Sequence, residues 1–206
     1  MKIFAVARNY GGICDVSPYG EGVEPVWYEL PDSSQLHTCQ PFFVPDFGDD
    51  FRIMPSLAVR VGRLGKGIAP RYAARYIDAV GLGCNVISAG LLASRRRDGL
   101  PWAAATAFDK SCFLSPWREA QNIADTIADT IFTLECGANR LSYRAAMMRR
   151  DIGEILQLLS RDITLKNGDV ILAALHPSGL PASIGDKLIA TDNNPEHSAI
   201  LDINIR

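Results

Sequence analysis

Ile53-Met54-Pro55-Ser56-Leu57-Ala58-Val59-Arg60-Val61-Gly62 is the stretch on which the fold turns. Leu57 to Val61 is the clearest strand signal in the first part of the chain, an apolar run rich in β-formers and closed by Gly62. Strand side chains alternate between faces, so Met54 and Ser56 fall on the same one. Pro55 between them offers no ladder donor and can distort the strand.

Towards the amino terminus, Ile3 to Ala7 reads as a short buried strand. Asn9-Tyr10-Gly11-Gly12 reads as a turn, because Gly-Gly supplies positive φ without steric cost. A loop-rich part runs to about residue 50. Within it Val26-Trp27-Tyr28-Glu29-Leu30 is strand-like and closed by Pro31, while Pro41-Phe42-Phe43-Val44-Pro45 is extended and fenced by prolines. Asp46-Phe47-Gly48-Asp49-Asp50 lacks the spacing and distal Glu of a calcium loop and reads as a solvated turn.

Towards the carboxy terminus, Pro70 to Val80 is predicted helical: Pro70 suits a first turn and Tyr72, Ala73, Tyr76, Ile77 and Val80 recur at helical spacing. Gly81-Leu82-Gly83 is no dinucleotide fingerprint, so its glycines are assigned to close backbone packing. Ile123, Ile127 and Ile131 form a helical stripe, yet Ile131 to Gly137 alternates as a strand does, and the boundary stays open. Ile152, Ile155, Leu156 and Leu159 mark an amphipathic helix. Leu165 to Asp169 then turns at Asn167-Gly168 into the strand Val170 to Leu175. Leu188 to Thr191 and Ile200 to Ile205 read as a terminal hairpin about Asn193-Asn194-Pro195. Together these elements predict an α+β, predominantly β fold with a few helices, as a single domain over 1–206: a loop-rich part at 1–50 and a core at 51–206.

Composition narrows the function. The 206 residues are 48% hydrophobic and 21% charged, which predicts a packed core rather than disorder. With 21 basic against 23 acidic residues the formal net charge is -2, which speaks against nucleic acid and against an anionic membrane surface as partners. The basic run Arg95-Arg96-Arg97 reads as a solvated helix end. Cys14, Cys39, Cys84, Cys112 and Cys136 are odd in number and contain no C-x-x-C pair. Reduced thiols in a cytoplasm are therefore expected. The apolar run after Met1 is too short for a signal-peptide core, and no stretch is long enough to span a membrane.

Four segments in order resemble the fumarylacetoacetate hydrolase (FAH) family: Ala7-Arg8-Asn9-Tyr10; Val59-Arg60-Val61-Gly62-Arg63-Leu64-Gly65-Lys66; Gly99-Leu100-Pro101-Trp102 with Ala107-Phe108-Asp109; and Ile163 to Ile171. The resemblance implies a mixed β-sandwich roll, a homodimer, and Mg²⁺ or Mn²⁺ held by three carboxylates in a pocket for 2-oxo acids or β-diketones. It places the ligands at Met54, Ser56 and Asn85, none of which is a carboxylate. It places the active-site lysine at Thr106, an arginine at Ala89, a histidine at Ile13 and a further lysine at Leu30. His176 is the one new polar group near the carboxy-terminal motif; an imidazole is able to titrate near neutrality, but a lone histidine beside a proline reads first as structural.

Hard divalent ions require oxygen ligands, preferably anionic ones. The expectation is thus a family homologue without a metal cofactor, a pseudoenzyme with a binding or subunit role and room for a small-molecule ligand; pocket candidates are Asn85, Thr106 and His176. The alternative is a metal-dependent hydrolase, isomerase or decarboxylase of 2-oxo acids or acylpyruvate-like substrates, using Mg²⁺ or Mn²⁺ on carboxylates such as Asp46, Asp49 or Asp50. A metal-free enzyme working through His176 or Cys112 is a third reading, although Cys112 reads as buried and inert. His37 and His197 lie in polar loops and receive no role.

Overall fold

The structure, a computed structural model, describes residues 1–11, 24–37, 40–119, 127–193 and 199–206. Two sheets carry the fold. The larger is built from β1 (Ile3–Ala7), β2 (Val26–Leu30), β3 (Gln35–Leu36), β4 (Phe51–Val61), β5 (Ile77–Ser88), β6 (Cys112–Leu114), β7 (Arg118–Glu119), β10 (Val170–Leu172) and β11 (Leu180–Pro181). Its main path runs β2-β1-β10-β4-β5-β6-β3, with β11 on β4 and β7 on β5. The smaller sheet has the order β13-β12-β8-β9, from β8 (Ile131–Cys136), β9 (Asn139–Arg144), β12 (Lys187–Asp192) and β13 (Leu201–Asn204). Among the helices that accompany them are α1 (Ala89–Arg97), α2 (Ala103–Thr106) and α3 (Ile152–Asp162). The fold is mostly β with few helices, as the sequence predicts.

The large sheet is buried on both faces. On one, Phe4, Val6, Ile53, Leu57, Val59, Val80, Leu82, Val86 and Ile171 join the main core. On the other, Ile3, Ala5, Met54, Ala58, Ile87, Cys112 and Leu172 form a second cluster with Leu30 and Ala105. Two-sided burial removes the polar beat that normally marks a strand.

That is why Pro70 to Val80 misleads. Pro70 does open a helical turn, but it is a 3-10 helix over Pro70–Arg75, and β5 begins at Ile77. Ile77 and Val80 are apolar because both faces of β5 are covered, a pattern that helical periodicity fits equally well over so short a window. Gly83 lies in mid-strand, where a Cβ would meet that of Ala58 at 3.1 Å and collide with Leu172, so the close-packing role holds there.

The Asn9–Gly12 turn is also revised. Positive φ falls on Arg8 (63°) rather than on Gly11, and Gly11 is required because a Cβ would come within 2.9 Å of the Met147 carbonyl oxygen. Gly12 lies outside the described residues, as do Ile123, Asn194 and Pro195. Ile131–Cys136 is a strand, and β12 pairs with β13 as the expected hairpin. The strand predicted for Val170 to Leu175 ends at Leu172. Beyond it the backbone leaves the regular ladder: Ala173, Leu175 and His176 donate to Leu57, Val6 and Pro55 carbonyls in turn.

The Arg95–Arg97 run forms the last turn of α1, where cations suit the negative end of the helix dipole. Helix α3 opens on a complete capping box, Asp151 with Glu154, and buries Ile155, Leu156 and Leu159. No helix among the described residues is long and apolar enough to cross a membrane.

Candidate functional site

Register in the large sheet brings the sequence candidates together. β4 and β5 are antiparallel with Met54 opposite Asn85 and Ser56 opposite Gly83. β6 adds Cys112 opposite Asn85. Met54, Ser56 and Asn85 therefore share a face, as ligands in those places would have to. Helix α2 covers that face and brings Thr106. Met54, Ser56, Asn85 and Thr106 are each fully buried.

Every polar atom of this group has an internal partner. The Ser56 hydroxyl donates to the Leu57 carbonyl and accepts from the Ala174 amide, both at 2.9 Å. Thr106 Oγ1 donates to the Trp102 carbonyl at 3.2 Å. Asn85 is the hub. Its Nδ2 faces three backbone carbonyls, Thr106 at 2.9 Å, Ser111 at 3.1 Å and Val86 at 3.2 Å, while Oδ1 accepts from the Tyr28 hydroxyl at 2.7 Å. Three acceptors on one side and a donor on the other fix the amide orientation. Met54 lies among Ile3, Leu30, Leu172 and Leu175 in the second apolar cluster. Over it runs the turn at Gly179 (φ +62°), where a Cβ would stand 2.7 Å from the Ile53 carbonyl oxygen.

This donor set does not suit a hard divalent cation. It offers a thioether, a hydroxyl engaged on both sides and an amide whose oxygen is already taken, with no anion to offset dehydration. Among the described residues no three His, Cys, Asp or Glu side chains gather as a metal-binding group. Asp46, Asp49 and Asp50 are exposed and precede β4, and Asp50 pairs with Arg52 at 3.0 Å. Leu30 and Ala89 are buried apolar residues at the positions where the resemblance expects cations. Ile13 and His197 lie outside the described residues, and His37 is exposed.

His176 borders the same region but does not titrate near neutrality. Burial of the ring lowers its pKa to about 4. Its Nδ1 faces the Ser178 and Gly179 amides at 3.3 and 3.4 Å, which places the remaining proton on Nε2, and Tyr10 lies 4.9 Å away, ring centre to ring centre. Between pH 6.5 and 4 the unfolded chain therefore binds a proton that the folded chain refuses, so stability falls as pH drops through that window. Allowing for solvent around a partly open ring, urea denaturation at pH 7 and pH 4.5 is expected to differ by about 1 kcal/mol less in His176→Gln than in the native chain.

Cys112 is buried, and burial pushes its thiol up to about 12; Cys84 is raised well above the ordinary thiol range for the same reason. A thiolate nucleophile does not form there at neutral pH.

Sequence reading missed two contributors. Tyr28 reads only as a strand residue, although a part-buried tyrosine hydroxyl calls for a partner. Asn9 is a clip: Nδ2 donates to the Arg150 and Ala173 carbonyls and Oδ1 accepts from the Arg150 amide, which ties the end of β1 to two distant segments.

A curled sheet with a packed inner face, closed by a short helix and a glycine turn, defines the fold class. The family pattern described as Fumarylacetoacetate (FAA) hydrolase C-terminal matches residues 2–182, and the chain belongs to this family. It is 29% identical over 195 residues to oxaloacetate tautomerase YcgM of Escherichia coli (strain K12), covering 92% of this chain and 87% of that protein. It is 26% identical over 201 residues to the mitochondrial oxaloacetate tautomerase FAHD1 of Rattus norvegicus, covering 98% and 87%. A fumarylpyruvate hydrolase from Pseudomonas aeruginosa, solved in complex with Mn²⁺ and pyruvate, shares the fold with a TM-score of 0.85 at 17% identity, covering 100% of this chain and 89% of that one.

Proposed function

We propose that this chain is an FAH-fold protein in which the inherited metal position has become structural, leaving a binding or subunit role that it performs as a single-domain homodimer. The observation that carries the reading is Asn85, whose amide hydrogens face three carbonyls and whose oxygen is held by Tyr28. A carboxylate in that place would face acceptors, so the surroundings have been fitted to a donor. Buried free thiols at Cys84, Cys112 and Cys136 support a reducing compartment such as a cytoplasm.

The relatives favour a second reading, and by name they speak for it more than for the first: a hydrolase, isomerase or decarboxylase of 2-oxo acids or acylpyruvate-like substrates, with Mg²⁺ or Mn²⁺ as cofactor. Identities of 17–29% leave the ligand set to this chain's own residues. Carboxylates from outside the inherited triad, such as Asp46, Asp49 or Asp50, would have to supply it. Assays of oxaloacetate tautomerisation and acylpyruvate hydrolysis with added Mn²⁺ or Mg²⁺ separate the two readings. Rates at the buffer background support the first. Metal-dependent turnover overturns it, and loss of that turnover in Asp46→Asn, Asp49→Asn or Asp50→Asn would locate the ligands.

A further inference from the structure

A cavity of about 560 Å³ lies where the 3-10 turn Pro70–Arg75 meets the amino-terminal end of α3. Its size is in the range of small-molecule sites. The two walls are held in direct backbone contact by Gly153, where a Cβ would approach the Pro70 carbonyl oxygen at 3.0 Å and Pro70 Cα at 3.2 Å. Ala73, Ile127, Ala145 and Ile152 supply apolar lining, the first three of them buried.

Four charged side chains line the cavity as well. Asp151 and Glu154 are engaged in the capping box: Asp151 Oδ1 accepts from the Glu154 amide at 2.9 Å and Glu154 Oε2 accepts from the Asp151 amide at 3.0 Å. Arg71 and Arg149 make no ion pair with a carboxylate among the described residues. Arg71 instead lies over the Tyr72 ring at 4.8 Å, where Arg75 approaches at 5.0 Å. Among the described residues, two guanidiniums without a carboxylate partner thus stand beside an apolar lining. The two carboxylates in the same lining repel further negative charge, which disfavours polyanions such as polyphosphates and limits a ligand on the guanidiniums to one negative charge.

We propose that this cavity binds a monocarboxylate with a short apolar body, its chain on Ala73, Ala145 and Ile152 and its carboxylate held by Arg71 and Arg149. The guanidinium fork matches a carboxylate bidentately. The site is distinct from the buried Met54–Asn85 group and does not depend on whether that group is catalytic.

Octanoate is the probe. Titration of the full chain, followed by calorimetry and amide NMR shifts, is expected to give a dissociation constant of about 1 mM or below, with shifts at Ala73, Ala145 and Ile152. Arg71→Gln and Arg149→Gln, both at exposed positions, are each expected to weaken binding on the order of tenfold. Ala74→Phe, which fills the cavity from an exposed lining position, should abolish it, and octanol should bind more weakly than octanoate. No binding at 10 mM (about ten times the expected constant), affinity unchanged in the arginine variants, or equal binding of octanol would each overturn the proposal.

Discussion

Asn85→Asp is expected to destabilise the protein by about 3 kcal/mol or more at pH 7, although the two side chains are nearly the same shape. The substitution replaces Nδ2, now 2.9–3.2 Å from the Thr106, Ser111 and Val86 carbonyls, with an oxygen that those acceptors repel. The site is fully buried, so the anion finds no water there. The new carboxyl should respond by raising its pKa in the folded state. A group raised in this way contributes fully below its unfolded value near 4 and loses its contribution as pH rises towards the folded value. The deficit relative to the native chain should therefore be small at pH 4 and grow towards pH 7, which urea denaturation at several pH values would read. If position 85 were a dormant ligand site, the same change would instead be well tolerated and would bring Mn²⁺ binding.

Met54→Glu is expected to cost more still, about 4 kcal/mol or above, enough to leave the chain largely unfolded. Met54 is fully buried among Ile3, Leu30, Leu172 and Leu175, and the Gly179 turn packs over its sulfur. Met54→Leu conserves volume and should cost less than about 1.5 kcal/mol. The contrast isolates charge from packing. Equal losses in the two variants would mean that shape alone is being measured, and near-native stability in Met54→Glu would mean that the cluster is more open than its burial states. Thermal melts with and without Mn²⁺ complete the comparison, since one added carboxylate beside Ser56 and Asn85 should gain nothing from the ion.

Much of the fold was legible because local signals agreed with tertiary demands. The apolar spacing of Ile152, Ile155, Leu156 and Leu159, the Asn167-Gly168 turn and the alternating tail each state their structure within a few residues. Pro70 to Val80 failed for the opposite reason: a strand covered on both faces has no alternation to show. Met54, Ser56 and Asn85 could be placed on one face from strand periodicity, and their lack of charge needed no structure. Which partners they take instead could not be read. The donors and acceptors around Asn85 are backbone groups of α2, β5 and the turn before β6, together with Tyr28 from the edge strand β2 on the same face. No sequence spacing encodes such a set. His176 carried a similar ambiguity, because its lowered pKa comes from burial that only the folded chain creates.

The most direct test of the account is a calorimetric titration of the intact protein with Mn²⁺ and with Mg²⁺. Uncharged, fully partnered side chains at residues 54, 56 and 85 predict no saturable heat up to millimolar ion and no change in melting temperature. Micromolar binding lost on substitution of Asn85, Ser56 or Met54 would contradict it.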